Sequence, residues 1–169
     1  MKLVIASDIH GSALWCEKAL RVVEEVRPDK LVILGDVLYH GPRNPLPGEY
    51  GPKGVAAMLN ELSDSIVAVR GNCDAEVDQM MLDFPCMADY VLIQDGERQL
   101  YCTHGHLWGP DNLPPLAEGS AFLYGHFHVK RNEMKDGIRL FNPGSVGLPK
   151  DGTHSVGIYD NGEFSFREL

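Results

Sequence analysis

Asp8-Ile9-His10, Asp36, Asn72, His104-Gly105-His106 and His126-Phe127-His128 are the residues of this sequence best suited to do chemistry. Each group follows a short apolar run, so each stands where a buried strand would end. Five of the seven histidines fall in Asp8-x-His10, His104-x-His106 and His126-x-His128, a concentration that structural histidines have no reason to adopt. With His106 set aside as the expendable member of its pair, the donors are two aspartates, one asparagine and four histidines. Carboxylate, amide and imidazole without thiolate suit Mn, Fe, Zn, Co or Ni better than a structural zinc site. Seven protein ligands are too many for one ion with open positions but suit two ions sharing a carboxylate. Asp36 is the natural bridge, because its two oxygens can each take a metal. Such ions, roughly 3.5–4 Å apart, activate a bridging water and clamp a phosphoryl group in line. Two divalent ions, two carboxylates and one hydroxide leave a net charge of about +1, which suits a singly charged phosphodiester.

The elements that must position these residues follow from the hydrophobic pattern. Lys2–Ala6 is short, β-branched and not alternating, as a fully buried strand should be. Asp8 and His10 are expected as its last residues, two apart on extended chain and so projecting together. Trp15, Ala19, Val22, Val23 and Val26 recur at helical spacing, and Pro28-Asp29 ends that helix. Leu31–Leu34 is a second buried strand with Gly35-Asp36 at its exit. Strand, helix, strand makes a right-handed βαβ unit whose strand ends collect ligands, so Asp8, His10 and Asp36 should meet at one edge.

Residues 40–53, with four prolines and three glycines, are expected to be a loop whose His40 and Arg43 form a substrate-facing wall. A short helix over Val55–Leu62 and a strand over Ser65–Val69 follow, the latter ending in Arg70-Gly71-Asn72-Cys73-Asp74. Ala75–Met81 has room for a helical turn or two. Asp95-Gly96 predicts a hairpin between Tyr90–Ile93 and Arg98–Thr103. Residues 108–119 are Pro- and Gly-rich, with room for one helical turn. Ala121–Tyr124 is a strand, and the remainder is a meander with turns at Asp136-Gly137, Asn142-Pro143-Gly144-Ser145 and Asp160-Asn161-Gly162.

A chain of 169 residues holds one well-packed domain. Its 15 basic and 24 acidic side chains give a net charge of -9, which argues against extended nucleic acid or an anionic membrane as partner. The longest apolar runs are only strand-length, and Asp8 and His10 interrupt the first one, so neither a membrane span nor a signal peptide is expected. Cys16, Cys73, Cys86 and Cys102 lack paired spacing, which favours thiols and a cytoplasmic protein.

The motifs Asp8-x-His10, Gly35-Asp36, Gly71-Asn72-x-Asp74, Thr103-His104-Gly105-His106 and Gly125-His126-x-His128, in this order, resemble the calcineurin-like metallophosphoesterases. The runs Gly35–Leu38, Gly41–Asn44 and Arg70–Asp74 resemble the small bacterial YfcE-type phosphodiesterases in particular. The resemblance covers essentially the whole chain and implies one metallophosphoesterase domain over residues 1–169. The implied fold is a two-sheet α/β sandwich flanked by helices. It also implies that Asp8, His10, Asp36 and His128 hold one metal, and that Asp36, Asn72, His104 and His126 hold the other. Manganese is the ion it favours. Asp36, Asn72 and His104 are the implied catalytic residues. Asp74, Cys73, Arg43, His40 and His106 are expected around them, orienting ligands or meeting substrate. Two positions depart from the wider family. Cys73 stands where many members carry a histidine able to protonate the leaving group, and Phe127 replaces a small polar residue between the two histidines.

The leading expectation is a dinuclear phosphodiesterase in which a metal-bridging hydroxide attacks a small phosphodiester. The retromer subunit of the same fold, which works through its surface, supplies a scaffold alternative, and a phosphomonoesterase is a third. The complete ligand set favours an enzyme, since a scaffold has no need of it. Pro85, Met87 and Tyr90 form a candidate interface between copies of the chain.

Overall fold

The computed structural model describes Met1–Leu169. Ten strands form two sheets of five. In the first, β1 (Lys2–Ala6), β2 (Lys30–Ile33) and β3 (Ile66–Ala68) run parallel, as the βαβ pattern requires, and β9 (Ser155–Asp160) and β10 (Glu163–Glu168) extend it antiparallel beyond β1. In the second, β5 (Arg98–Thr103), β6 (Ala121–Leu123) and β8 (Ile138–Pro143) run parallel, flanked by antiparallel β4 (Tyr90–Asp95) and β7 (Lys130–Lys135).

Packing explains why both faces of β1 are apolar. Leu3 and Ile5 point between the sheets, where they meet Leu100, Leu123 and Phe141. Val4 and Ala6 point the other way, onto Cys16, Ala19 and Val22 of α1 (Ala13–Val26) and Val55 and Leu59 of α2 (Pro52–Asn60). The helices cover only the first sheet. The outer face of the second carries Tyr101, Phe122, Tyr124 and Leu140, roofed by Trp108, Leu113 and Leu116 from the 108–119 stretch, which holds no helical turn. The sandwich is therefore flanked by helices on one side and by a loop on the other.

Some boundaries differ from expectation. The second helix starts at Pro52 rather than Val55, because proline at the first helical position has no backbone N–H to lose. α3 spans only Glu76–Gln79. Met87 packs against the helix-side core and Tyr90 stacks on Tyr101 at 5.0 Å, so the candidate interface is partly absorbed within the fold. His154 stacks on Trp15 at 3.4 Å and donates to the Val146 carbonyl, an ordinary structural histidine.

Candidate metal centre

The carboxyl ends of β1, β2 and β3 face those of β5 and β6, and the exit loops interlock. Asp8, His10 and Gly11 donate their amides to the carbonyls of Gly35, Asp36 and Val37, so the parallel ladder runs on past both strands. Val146 and Gly147, beyond β8, donate to Ser7 and Asp8 and tie the second sheet to the first at this point.

The expected strand-end geometry is corrected in one respect. β1 stops at Ala6, and Asp8 (φ 55°), His10 (φ 51°), Asp36 (φ 54°), His126 (φ 66°) and His128 (φ 61°) are all left-handed. Their side chains converge through tight turns rather than through alternation on extended chain. Left-handed backbone costs a non-glycine residue on the order of 1 kcal/mol, and five of the nine such residues are candidate ligands. Gly71 and Gly125 serve a different need. A Cβ on Gly71 would overlap the Asp36 carboxylate, and one on Gly125 would overlap the Ser7 hydroxyl.

The imidazoles are aimed by backbone carbonyls. Nδ1 of His10 donates to Tyr39 at 2.8 Å, that of His104 to Leu34 at 2.6 Å, and that of His128 to Leu148 at 2.5 Å. A carbonyl only accepts, so each Nδ1 carries hydrogen and each Nε2 points into the cluster. There the Nε2 atoms meet acceptors. His128 lies 3.2 Å from Asp8 Oδ1, His104 lies 3.4 Å from Asp36 Oδ2, and His10 lies 3.7 and 3.6 Å from the same two oxygens. His104 Nε2 is also 3.0 Å from the amide oxygen of Asn72, and the His10 and His128 Nε2 atoms are 3.4 Å apart.

The carboxylates are held with equal economy of alternatives. Asp8 Oδ2 accepts from the Ser7 hydroxyl at 2.6 Å and the His126 amide at 2.9 Å, whereas buried Oδ1 has no hydrogen-bond partner. Asp36 Oδ1 accepts from the Cys73 amide at 2.8 Å and leaves Oδ2 to the histidines. Asp74 orients this turn by accepting the amides of Asp36, Val37 and Gly71 at 2.7–2.8 Å. Lone pairs facing lone pairs at these distances repel unless a cation lies between them, and that cation must be a proton or a metal. The donors fit divalent metal ions: Asp8, His10 and His128 form one close group, and Asp8, Asp36 and His104 another.

Electrostatics are consistent with this. Burial opposes charge on His104, but the carboxylates of Asp36 and Asp8 outweigh it and raise its pKa to about 9. Burial would raise Asp8, yet the surrounding histidines hold it well below the usual carboxylate range. His126 is driven down to about 4 by burial and by His104, so its imidazole is neutral at pH 7. Its ring lies 5.1 Å from that of His104, just outside the close groups.

The remaining expected residues divide. Arg43, Cys73, Asp74 and Phe127 line a cleft of about 800 Å³ over the cluster, together with Lys150, which the sequence did not single out. Cys73 also approaches His10 and Asp36 closely enough to count as a donor. Burial and Asp36 push its thiol up to about 12, so it is not a thiolate. His40 is not on the expected wall. Its ring sits 4.8 Å from Tyr39 and 5.4 Å from Tyr50, behind the cleft. His106 lies 5.3 Å from His104 and joins no close group.

Sequence reasoning missed the supports. Ser7 steadies one carboxylate, and Ser145 donates to the Asp8 carbonyl at 2.8 Å. Asn142 donates to the Gly125 carbonyl at 2.8 Å. The Asn142-Pro143-Gly144-Ser145 run was the available signal, since it reads as a turn and also carries two short polar side chains.

The sequence profile described as the calcineurin-like phosphoesterase superfamily domain matches residues 1–163. The chain belongs to that superfamily. It is 50% identical over 162 residues to Phosphodiesterase YfcE of Escherichia coli (strain K12), covering 95% of this chain and 88% of that protein. The solved structure of YfcE, described as a phosphoesterase from E. coli, superposes with a TM-score of 0.93 at 49% identity over 95% of this chain and 89% of that one. Vacuolar Protein Sorting 29 of Cryptosporidium parvum, at 17% identity and a TM-score of 0.61 over 99% of this chain and 96% of that one, shares the fold alone. Phosphoesterases of this superfamily are metal-dependent hydrolases, and the buried Asp/His cluster is where divalent ions fit. No helix of this chain is long and apolar enough to cross a membrane.

Proposed function

We propose that the protein is a phosphodiesterase that uses two divalent ions, manganese being the favoured pair, on a small phosphodiester in the cytoplasm. Asp8, His10, Asp36 and His128 would hold one ion, and Asp36, Asn72, His104 and His126 the other. The observation that carries this reading is Asp36 Oδ2, which faces His10 at 3.6 Å from one group and His104 at 3.4 Å from the other. A carboxylate so placed can serve both halves of a dinuclear site. The 50% identity to a phosphodiesterase supports the choice of diester over monoester.

When bound, divalent ions stabilise negative charge on a phosphate and bring the pKa of a water near neutrality. The chain's own residues do the rest. Three carbonyls fix the imidazole tautomers, so the ligand nitrogens are available without rearrangement. Ser7, the His126 amide and the Cys73 amide occupy one oxygen of each carboxylate and point the other inward. Arg43 and Lys150 at the cleft attract an anion, and Phe127, 44% exposed, offers an aromatic face to an organic substituent. With a net charge of -9 the surface repels extended nucleic acid, so we take a small diester as partner. Copies of the chain remain candidate partners for one another.

The test is hydrolysis of bis(4-nitrophenyl) phosphate and 4-nitrophenyl phosphate with Mn, Zn, Mg or chelator, with an Asp36→Asn control. Diester turnover is expected to depend on added metal, to be greatest with Mn and to vanish with chelator. Activity undiminished after thorough metal removal, or turnover of the monoester alone, overturns the reading.

A further inference from the structure

A second hollow, of about 400 Å³, opens beside the cleft, and seven of its ten lining residues are hydrophobic. Its walls are Leu38, Tyr39, Tyr50 and Pro52 on one side and Val77 and Met81 on the other. Val77 is 60% and Met81 43% exposed, which is unusual for apolar side chains facing into a concavity. The hollow adjoins the cleft, and Tyr39, Cys73 and Ala75 line both.

The apolar wall is built into the metal centre. The Tyr39 carbonyl accepts the hydrogen bond from His10 Nδ1 while the tyrosine lines the hollow. The residues around Tyr50 are bound to the first exit loop, through the amide of Ala13 to the Glu49 carbonyl and that of Gly51 to the Gly11 carbonyl. The Tyr50 ring packs so closely on Gly11 that a Cβ there would meet Cε2 at 2.5 Å. His40, wedged between the two tyrosines, acts as their buttress. The hollow is thus fixed relative to the place where a phosphate would bind. Its volume falls within the usual range for small-ligand pockets.

We propose that this hollow is a specificity site for an apolar arm, alkyl or aryl, of the phosphodiester. The inference rests on the phosphodiesterase reading above. A phosphate in the cleft must send its two ester arms away from a polar centre, and the hollow is the apolar surface that adjoins it. Lys53 and Asp78, one of each sign, are the charged residues of its lining, so the hollow favours a neutral arm.

The test uses metal-loaded enzyme and methyl alkyl phosphates (methyl, ethyl, butyl, hexyl) as competitive inhibitors of bis(4-nitrophenyl) phosphate hydrolysis. In the unmodified protein Ki should fall roughly two- to fourfold per methylene until the hollow is filled. In Val77→Asp and Met81→Asp, which change exposed side chains away from the metals, Ki for dimethyl phosphate should stay the same. The chain-length dependence should flatten, leaving the hexyl ester at least about tenfold weaker than in the unmodified protein. A Ki independent of chain length overturns the proposal, as does a slope that survives both substitutions. Sedimentation of the same variants covers the other occupant. A loss of oligomer mass with inhibition unchanged makes the hollow an interface between copies and rejects the substrate arm. If no dialkyl phosphate competes and no diester is turned over, the phosphodiesterase reading falls and takes this proposal with it.

Discussion

The first sheet delivers Asp8, Asp36 and Asn72, with His10 its only imidazole, whereas the second delivers His104, His106, His126 and His128 and no carboxylate. The oxygen donors are placed by backbone that is itself pinned. Asp74 takes three amides of the Asp36 turn, and Ser7 and the Cys73 amide allot one oxygen of each carboxylate. The imidazoles are aimed from outside their own turns, and His104 reaches across to the Leu34 carbonyl of the first sheet. Neither sheet holds a complete site. The centre exists only where the two are packed, so its assembly reports on the interface between them as much as on local structure.

Exchanging one donor on each side should expose the asymmetry. Asp36→Asn keeps the shape and removes the charge that faces His10 of one group and His104 of the other, and is expected to lower kcat by roughly 10³-fold or more with the fold intact. His126→Ala removes a half-buried imidazole outside the close groups and should cost only about 10–100-fold. Metal content by mass spectrometry and circular dichroism should accompany both. Equal losses would mean that the bridging carboxylate is misplaced.

Asp74→Asn probes the support rather than the donor. The amide can accept with one oxygen where the carboxylate used two, so one of the three backbone N–H groups loses its partner. Metal affinity should weaken about 10–100-fold, measured by competition with a chromophoric chelator. An unchanged affinity would show that the turn holds its shape without this carboxylate.

The donors were legible because their types recur after successive apolar runs, and a strand exit is visible in the hydrophobic pattern. The turns that aim them were not. A left-handed Asp8, His10 or Asp36 is selected by hydrogen bonds from distant segments, not by its own propensity. Gly71 and Gly125 look like ordinary turn glycines until the Asp36 carboxylate and the Ser7 hydroxyl are seen beside them. His40 was misplaced for a related reason. Proximity in sequence to Asp36 does not decide which way a ring turns, and two tyrosines offered it more contact than the cleft did. The fold was read more fully than the coverage of its outer surface. Sheet faces follow from residue type, while the loop that roofs the second sheet carries no periodic signal.

A third measurement follows from the facing lone pairs. In the metal-free protein His104 has its pKa raised to about 9, from 6.5, by the neighbouring carboxylates. Its contribution to stability is therefore fully present below pH 6.5 and is lost as pH rises through about 9. The melting temperature of the metal-free protein should fall across that window. Loading metal near pH 7.5 needs a neutral ligand and should release about one proton from this site, read with a pH indicator in weak buffer. His104→Asn should remove most of that release. No proton uptake or release on loading would mean that the cluster does not hold its imidazoles charged.

The smallest effect is expected at His106, the second-sheet histidine that the close groups leave out. Its ring stands 5.3 Å from His104, its buried Nδ1 has no hydrogen-bond partner, and burial together with His104 lowers its pKa. A group disfavoured in its charged form is a poor reservoir for the proton a departing alkoxide needs. Replacing it by alanine removes a buried polar atom that bonds to nothing, so stability should not suffer. His106→Ala is expected to lower diester turnover by less than about tenfold, for nitrophenyl and alkyl leaving groups alike. A positioned general acid is worth roughly 10²–10⁴-fold where the departing oxygen needs a proton. If the variant loses that much on alkyl esters alone while retaining both metals, His106 is the proton donor. The Cys73 thiol, held up to about 12 by burial and Asp36, is then not the donor.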